Sequence, residues 1–144
     1  MSESTGNGTA LFVDVETTTA SDIQSKPINW LIEPYLPLGT VTVMFGDGGF
    51  GKSFATLAIA AAISNGTLLP GMDKPFPISD VIIQNAENSW STVIKPRLEM
   101  LKADCSKIHS INDIGKRLTL TDDRIEAAVR KHNAKYVVID PLCT

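Results

Sequence analysis

Eight consecutive residues constrain this chain more than any other feature. Gly46-Asp47-Gly48-Gly49-Phe50-Gly51-Lys52-Ser53 fits the pattern G-x-x-x-x-G-K-[ST] at every fixed position. Glycines let the backbone wrap a polyphosphate closely with its N–H groups turned inward, the lysine reaches the β- and γ-phosphates, and the serine hydroxyl ligates Mg²⁺. Such a loop belongs between a strand and a helix, whose N-terminus adds partial positive charge. The flanks predict both. Val41-Thr42-Val43-Met44-Phe45 reads as a strand, and a helix should run from about Lys52 to Ser64. That helix is apolar on nearly every face, so it should be buried, and Asn65-Gly66 should end it with a left-handed residue. The competing reading, a glycine-rich turn that binds nothing, is disfavoured by this context.

Further along, Val81-Ile82-Ile83-Gln84 reads as a second buried strand, and about Ser91 to Ala103 as a helix that starts or kinks at Pro96. Lys107 to Ile111 suggests a short edge strand. Thr121 is the expected cap of the next helix, with Asp122 and Asp123 in its first turn and Arg130, Lys131 and His132 in its last, which suits the helix dipole. Tyr136-Val137-Val138-Ile139 forms an unbroken apolar run that ends in Asp140. Strands that are apolar on both faces and alternate with helices predict an α/β fold: a parallel sheet flanked by helices. Residues 1–27, polar apart from Leu11-Phe12-Val13, read as a flexible leader, with the folded domain over 28–144.

Asp140 stands where a Walker B aspartate would hold Mg²⁺, although a strand-end Asp can also simply cap a turn. A GTPase would carry glycine three places later, where Cys143 stands. An AAA+ motor would usually carry Glu next, where Pro141 stands. The water-activating carboxylate must then come from elsewhere. Glu87 lies just past the Val81–Gln84 strand, and parallel strands deliver their C-terminal ends to the edge that carries the phosphate loop. Its other reading is a solvated loop Glu.

Trp30-Leu31-Ile32, Leu36-Pro37-Leu38-Gly39, the phosphate loop, Gln84-Asn85-Ala86-Glu87-Asn88, Arg97-Leu98 and Val138-Ile139-Asp140-Pro141-Leu142 together resemble the RecA-like P-loop ATPases of the RepA replicative-helicase type, found in phage and plasmid replication. The likeness covers about residues 28–144. It implies ATP and Mg²⁺ as cofactors, with nucleotide contacts over Gly46, Asp47, Gly48, Gly49, Phe50, Gly51, Lys52, Ser53 and Phe54. It also implies Lys52 and Glu87 as the catalytic pair, with Ser53 and Asp140 as the metal ligands. Asn88 departs from the Glu-Asp pair of the family. The resemblance further implies single-stranded DNA and replication proteins as partners, and a homo-oligomer, hexameric in the family. Family members continue past Walker B with a sensor, DNA-facing loops and an arginine finger, and a later strand lies between their Walker A and Walker B strands. The sequence therefore resembles the N-terminal half of an ATPase. If so, the Val41–Phe45 and Tyr136–Ile139 strands should either pair directly or leave open edges. The alternatives are a non-catalytic nucleotide-binding or assembly module, and a small-molecule phosphotransferase.

The remaining features exclude more than they assign. Thirteen Lys+Arg against sixteen Asp+Glu give −3, which rules out a strongly basic nucleic-acid binder. Lys95, Arg97, Lys102, Lys107, Lys116 and Arg117 are interleaved with acids and read as a solvated face. Cys105 and Cys143 match no zinc or disulfide spacing, and a reducing cytoplasmic location is the expectation. Ser53 to Met72 carries no charge, but its apolar part is too short to span a bilayer. Trp30 and Tyr35 read as core residues. His109 and His132, single and unpaired in the sequence, attract no chemistry.

Overall fold

The computed structural model describes residues 15–112 and 118–141. The Leu11–Val13 patch, Lys116, Arg117 and Cys143 lie outside the described residues. The described chain falls into two compact units divided between Thr40 and Val41. The smaller holds a tight antiparallel hairpin, β1 (Trp30–Ile32) and β2 (Leu36–Pro37), with Tyr35 N–H donating to Ile32 O at 2.7 Å. Tyr35 is 73% exposed at the hairpin turn, so it is not the core residue expected from its aromatic character.

The larger unit runs α1 (Lys52–Asn65), β3 (Val81–Asn85), α2 (Lys95–Met100), β4 (Ile108–His109), α3 (Asp123–His132) and β5 (Tyr136–Asp140). Its sheet is parallel throughout, in the order β4-β3-β5. The central strand β3 is buried along its whole length, as its Val-Ile-Ile run requires of a strand covered on both faces. Helix α1 packs on β3 and β5, and α3 packs against β3. Leu57 and Ile59 to Ser64 of α1 are buried, as its all-round apolar sequence predicts. Gly66 closes the helix at φ +65°, its N–H reaching back to Ala62 O and Ile63 O. A one-turn π segment (Trp90–Ile94) leads directly into α2, whose first turn holds Pro96, where a missing N–H costs nothing. No helix among the described residues is long and apolar enough to cross a membrane.

Three expectations need correction. The α3 cap is Asp122, not Thr121: Asp122 Oδ1 accepts from Arg124 N–H at 3.0 Å, and its carboxylate also pairs with the Arg124 guanidinium. The edge strand is shorter than 107–111, because only Ile108 and His109 pair with β3. Val41–Phe45 does not form a strand. Its side chains fit a strand, but a strand persists only on a ladder partner, and among the described residues β5 is paired to β3 alone. Val41 and Phe45 are consequently 81% and 90% exposed. Of the two outcomes expected for these strands, direct pairing does not occur.

Candidate nucleotide-binding site

The phosphate loop enters α1 through a backbone that only glycine adopts easily. Gly49 and Gly51 sit at φ +83° and +77°, with Gly51 serving as the helix N-cap. No atom outside the neighbouring residues lies within 4 Å of where a Cβ would stand on Gly46, Gly48, Gly49 or Gly51. The conformation is therefore demanded by the turn itself and not by packing. The loop from Gly46 to Gly51 lies open to solvent, Asp47 and the 80% exposed Phe50 included, and Phe54 is 42% exposed. Lys52 folds back over this loop, its Nζ donating to Gly46 O and Asp47 O at 2.7 Å each. The ammonium is thereby held against the loop that would wrap a polyphosphate.

The next residue reaches across the fold. Ser53 Oγ donates to Asp140 Oδ2 at 2.7 Å, joining the start of α1 to the C-terminal end of β5. Asn85, the last residue of β3 and 8% exposed, donates from Nδ2 to that same oxygen at 3.2 Å. Its Oδ1 accepts the backbone N–H groups of Glu87 at 3.1 Å and Asn88 at 2.6 Å, an Asx turn that fixes the loop after β3. Ala86 N–H extends the ladder to Asp140 O at 3.0 Å. Ser53, Asn85 and Asp140 thus form one connected polar group, and Glu87 is anchored to it through its backbone while its side chain lies in solvent.

Lys52, Ser53 and Asp140 stand out in the sequence, and the fold brings Ser53 and Asp140 into contact. Asn85 stands out there only as part of a motif. The available signal was an amide side chain closing a strand that is otherwise apolar and buried, where a polar group must find partners. Arg97 on α2 takes no part in this group, and Lys95 pairs instead with Glu99 on the same helix. The larger miss concerns His109 and His132, which are brought together with Asp80 at the other end of the sheet. No spacing rule could have paired them, because they come from different elements.

A parallel α/β sheet with a glycine-rich phosphate loop opening its first helix, and an acid from a strand end touching the loop's serine, defines the class of P-loop nucleotide-binding proteins. Within that class the family model described as AAA domain matches residues 9–143. The chain belongs to this family and is a nucleotide-binding ATPase domain. No curated protein and no solved structure gave a match.

Proposed function

We propose that the chain is a Mg²⁺-dependent, RecA-like ATPase domain of the replicative-helicase type. The observation that carries the metal-dependent part is the 2.7 Å contact between Ser53 Oγ and Asp140 Oδ2. Two hard oxygen donors side by side suit Mg²⁺, which Ser53 would ligate and Asp140 would hold through its water shell. Bound there, Mg²⁺ would supply charge neutralisation to the β- and γ-phosphates.

Lys52 provides the full positive charge of the loop, and exchanging its two carbonyl partners for phosphate oxygens replaces neutral acceptors with charged ones. The N–H groups from Gly46 to Ser53, with Phe50 and Phe54 at the mouth, line the rest of the nucleotide site. Glu87 orients the attacking water. The Asx turn made by Asn85 supports this role, because it holds the Glu87 backbone to the group that contains Asp140. The link to single-stranded DNA, replication partners and a homo-oligomer rests on the resemblance to the RepA-type ATPases. The exposed Val41 and Phe45 favour association with another chain.

Calorimetric titration with ATP and Mg²⁺ tests the reading. Lys52→Ala should weaken affinity at least tenfold, and equal affinity in both proteins would sink it. Glu87→Gln should retain ATP affinity while turnover falls about 10²-fold or more, because its charge acts on water and not on phosphate. A wild-type chain that binds ATP but shows no turnover, with single-stranded DNA present, would replace the catalytic reading with a nucleotide-binding module.

A further inference from the structure

Asp80, His109 and His132 converge at the edge of the sheet opposite the phosphate loop. Asp80 immediately precedes β3, and Asn85 ends it, so the two groups stand about 16 Å apart along one strand. Asp80 Oδ2 lies 2.9 Å from His109 Nε2 and 3.8 Å from His132 Nδ1. One donor atom from each residue fits within 4.8 Å of the others. A tetrahedral ion with bonds of about 2.0–2.1 Å places its ligands about 3.3–3.4 Å apart, and the two measured separations bracket that value. We propose that these three side chains form a binding site for a first-row divalent cation of the Zn²⁺ type.

The backbone brings the three side chains together. His109 lies on β4 in register with Ile82 of β3. His132 is the last residue of α3, set by the left-handed Asn133 at φ +49° and by the Lys135 N–H donating to Asp80 O at 3.1 Å. The two imidazoles stack with centroids 3.6 Å apart and planes 21° from parallel, and an ion lying in the plane of both rings would splay them apart. Each of the three side chains is about one-quarter exposed, which leaves a fourth position open to water. An open groove of about 280 Å³ beside the histidines, floored by Ile82, Ala127 and Ala128, gives access.

Charge around the site is mixed. Lys107 Nζ stands 3.8 Å from Asp80 Oδ1, the oxygen that the histidines do not face. It can remain there as an outer-sphere partner while Oδ2 takes the ion. Two imidazoles and one carboxylate suit Zn²⁺ better than Mg²⁺ or Ca²⁺, which prefer oxygen alone. The ion would pin the C-terminus of α3 to β4 and to the N-terminal end of β3. This inference is independent of the nucleotide site.

The test uses the tag-free, metal-stripped full chain and Zn²⁺ alone, titrated against a chromogenic chelator, with Co²⁺ as a spectroscopic substitute. One saturable Zn²⁺ site per chain is expected, together with the intense visible bands of four-coordinate Co²⁺ and a rise in melting temperature on adding Zn²⁺. His109→Ala and His132→Ala should each weaken binding at least tenfold and remove the Co²⁺ bands, whereas Cys105→Ser should leave both unchanged. If His132→Ala does not melt cooperatively, His132→Gln takes its place. Equal Zn²⁺ affinity in the wild type and a His109→Ala/His132→Ala double variant, or Co²⁺ bands that survive in that variant, would overturn the assignment.

Discussion

Replacing Asn85 with Asp tests the polar group beneath the phosphate loop with almost no change in shape. The Oδ1 acceptor that holds the N–H groups of Glu87 and Asn88 is retained, while the donor facing Asp140 Oδ2 at 3.2 Å becomes a second carboxylate oxygen. At that distance and an effective dielectric of about 20, two unit charges repel by about 5 kcal/mol. The pair can escape by taking up a proton. Holding a carboxyl of ordinary pKa near 3.9 protonated at pH 7 costs about 4 kcal/mol, at about 1.4 kcal/mol per pH unit. The cheaper route governs, and the partial exposure of Asp140 reduces it, so Asn85→Asp should lose about 2–4 kcal/mol at pH 7. Protonation costs only about 1.5 kcal/mol at pH 5. The folded variant binds a proton that its unfolded chain releases, so its deficit against wild type grows as pH rises from about 4 to 7. Urea unfolding at several pH values without Mg²⁺ measures this, provided the m-value is unchanged. A deficit below about 0.5 kcal/mol at pH 7, or one that does not vary with pH, would refute the picture of Asn85 as the neutral donor to Asp140.

Two further outcomes concern the scaffold. Gly66→Ala should cost more than Gly71→Ala in thermal unfolding, because both glycines have positive φ but only at Gly66 would a Cβ meet other atoms, Ile78 Cγ1 at 2.5 Å and the Phe76 carbonyl oxygen at 3.1 Å. About 1 kcal/mol is expected for the backbone at either site, with the clash added at Gly66. Equal costs would show that the Ile78 side chain and the Phe76 carbonyl give way without penalty. Burial raises the Tyr136 phenol to about 12. A group whose folded pKa lies above its unfolded value near 10 stabilises below that value and loses its contribution as pH rises through 10 to 12. The wild type should therefore lose about 2–3 kcal/mol more than Tyr136→Phe over that interval. Parallel stability curves for the two proteins would rule this out.

The parts of the fold legible in the sequence were those where one local requirement decided the outcome. The Lys52–Asn65 helix is apolar all round and must be buried. Val81–Asn85 and Tyr136–Asp140 are short apolar runs bounded by turns, and they pair with each other in parallel register. Asp140 and Ser53 were singled out by motif, and the fold places them in contact. Legibility failed where the outcome depended on a partner. Val41–Phe45 has the composition of a strand, yet strand formation is a property of two segments, and none of the described residues supplies the second. The displacement of the α3 cap from Thr121 to Asp122 follows a local competition: Asp122 accepts from Arg124 N–H and holds its guanidinium as well, which a hydroxyl cannot match. The histidines were illegible for a third reason. A single His carries no periodicity, and only the pairing of β4 with β3 and the end point of α3 brings the two rings to one carboxylate.

That convergence gives β3 a role that its sequence conceals. Its five residues are buried and mostly aliphatic, which by itself describes only a core strand. Yet the polar residues at its two ends each gather side chains from other elements. Asn85 reaches Asp140 of β5 and the loop that bears Glu87, whereas Asp80 reaches His109 of β4 and His132 of α3. A strand packed by Val81, Ile82 and Ile83, each no more than 1% exposed, resists sliding along its axis, since displacement by a fraction of a residue would open voids against α1. The geometry of both ends is therefore set by the same apolar packing. A large-to-small change at Ile83 would loosen the nucleotide group and the histidine cluster together, although it contributes no polar side-chain atom to either.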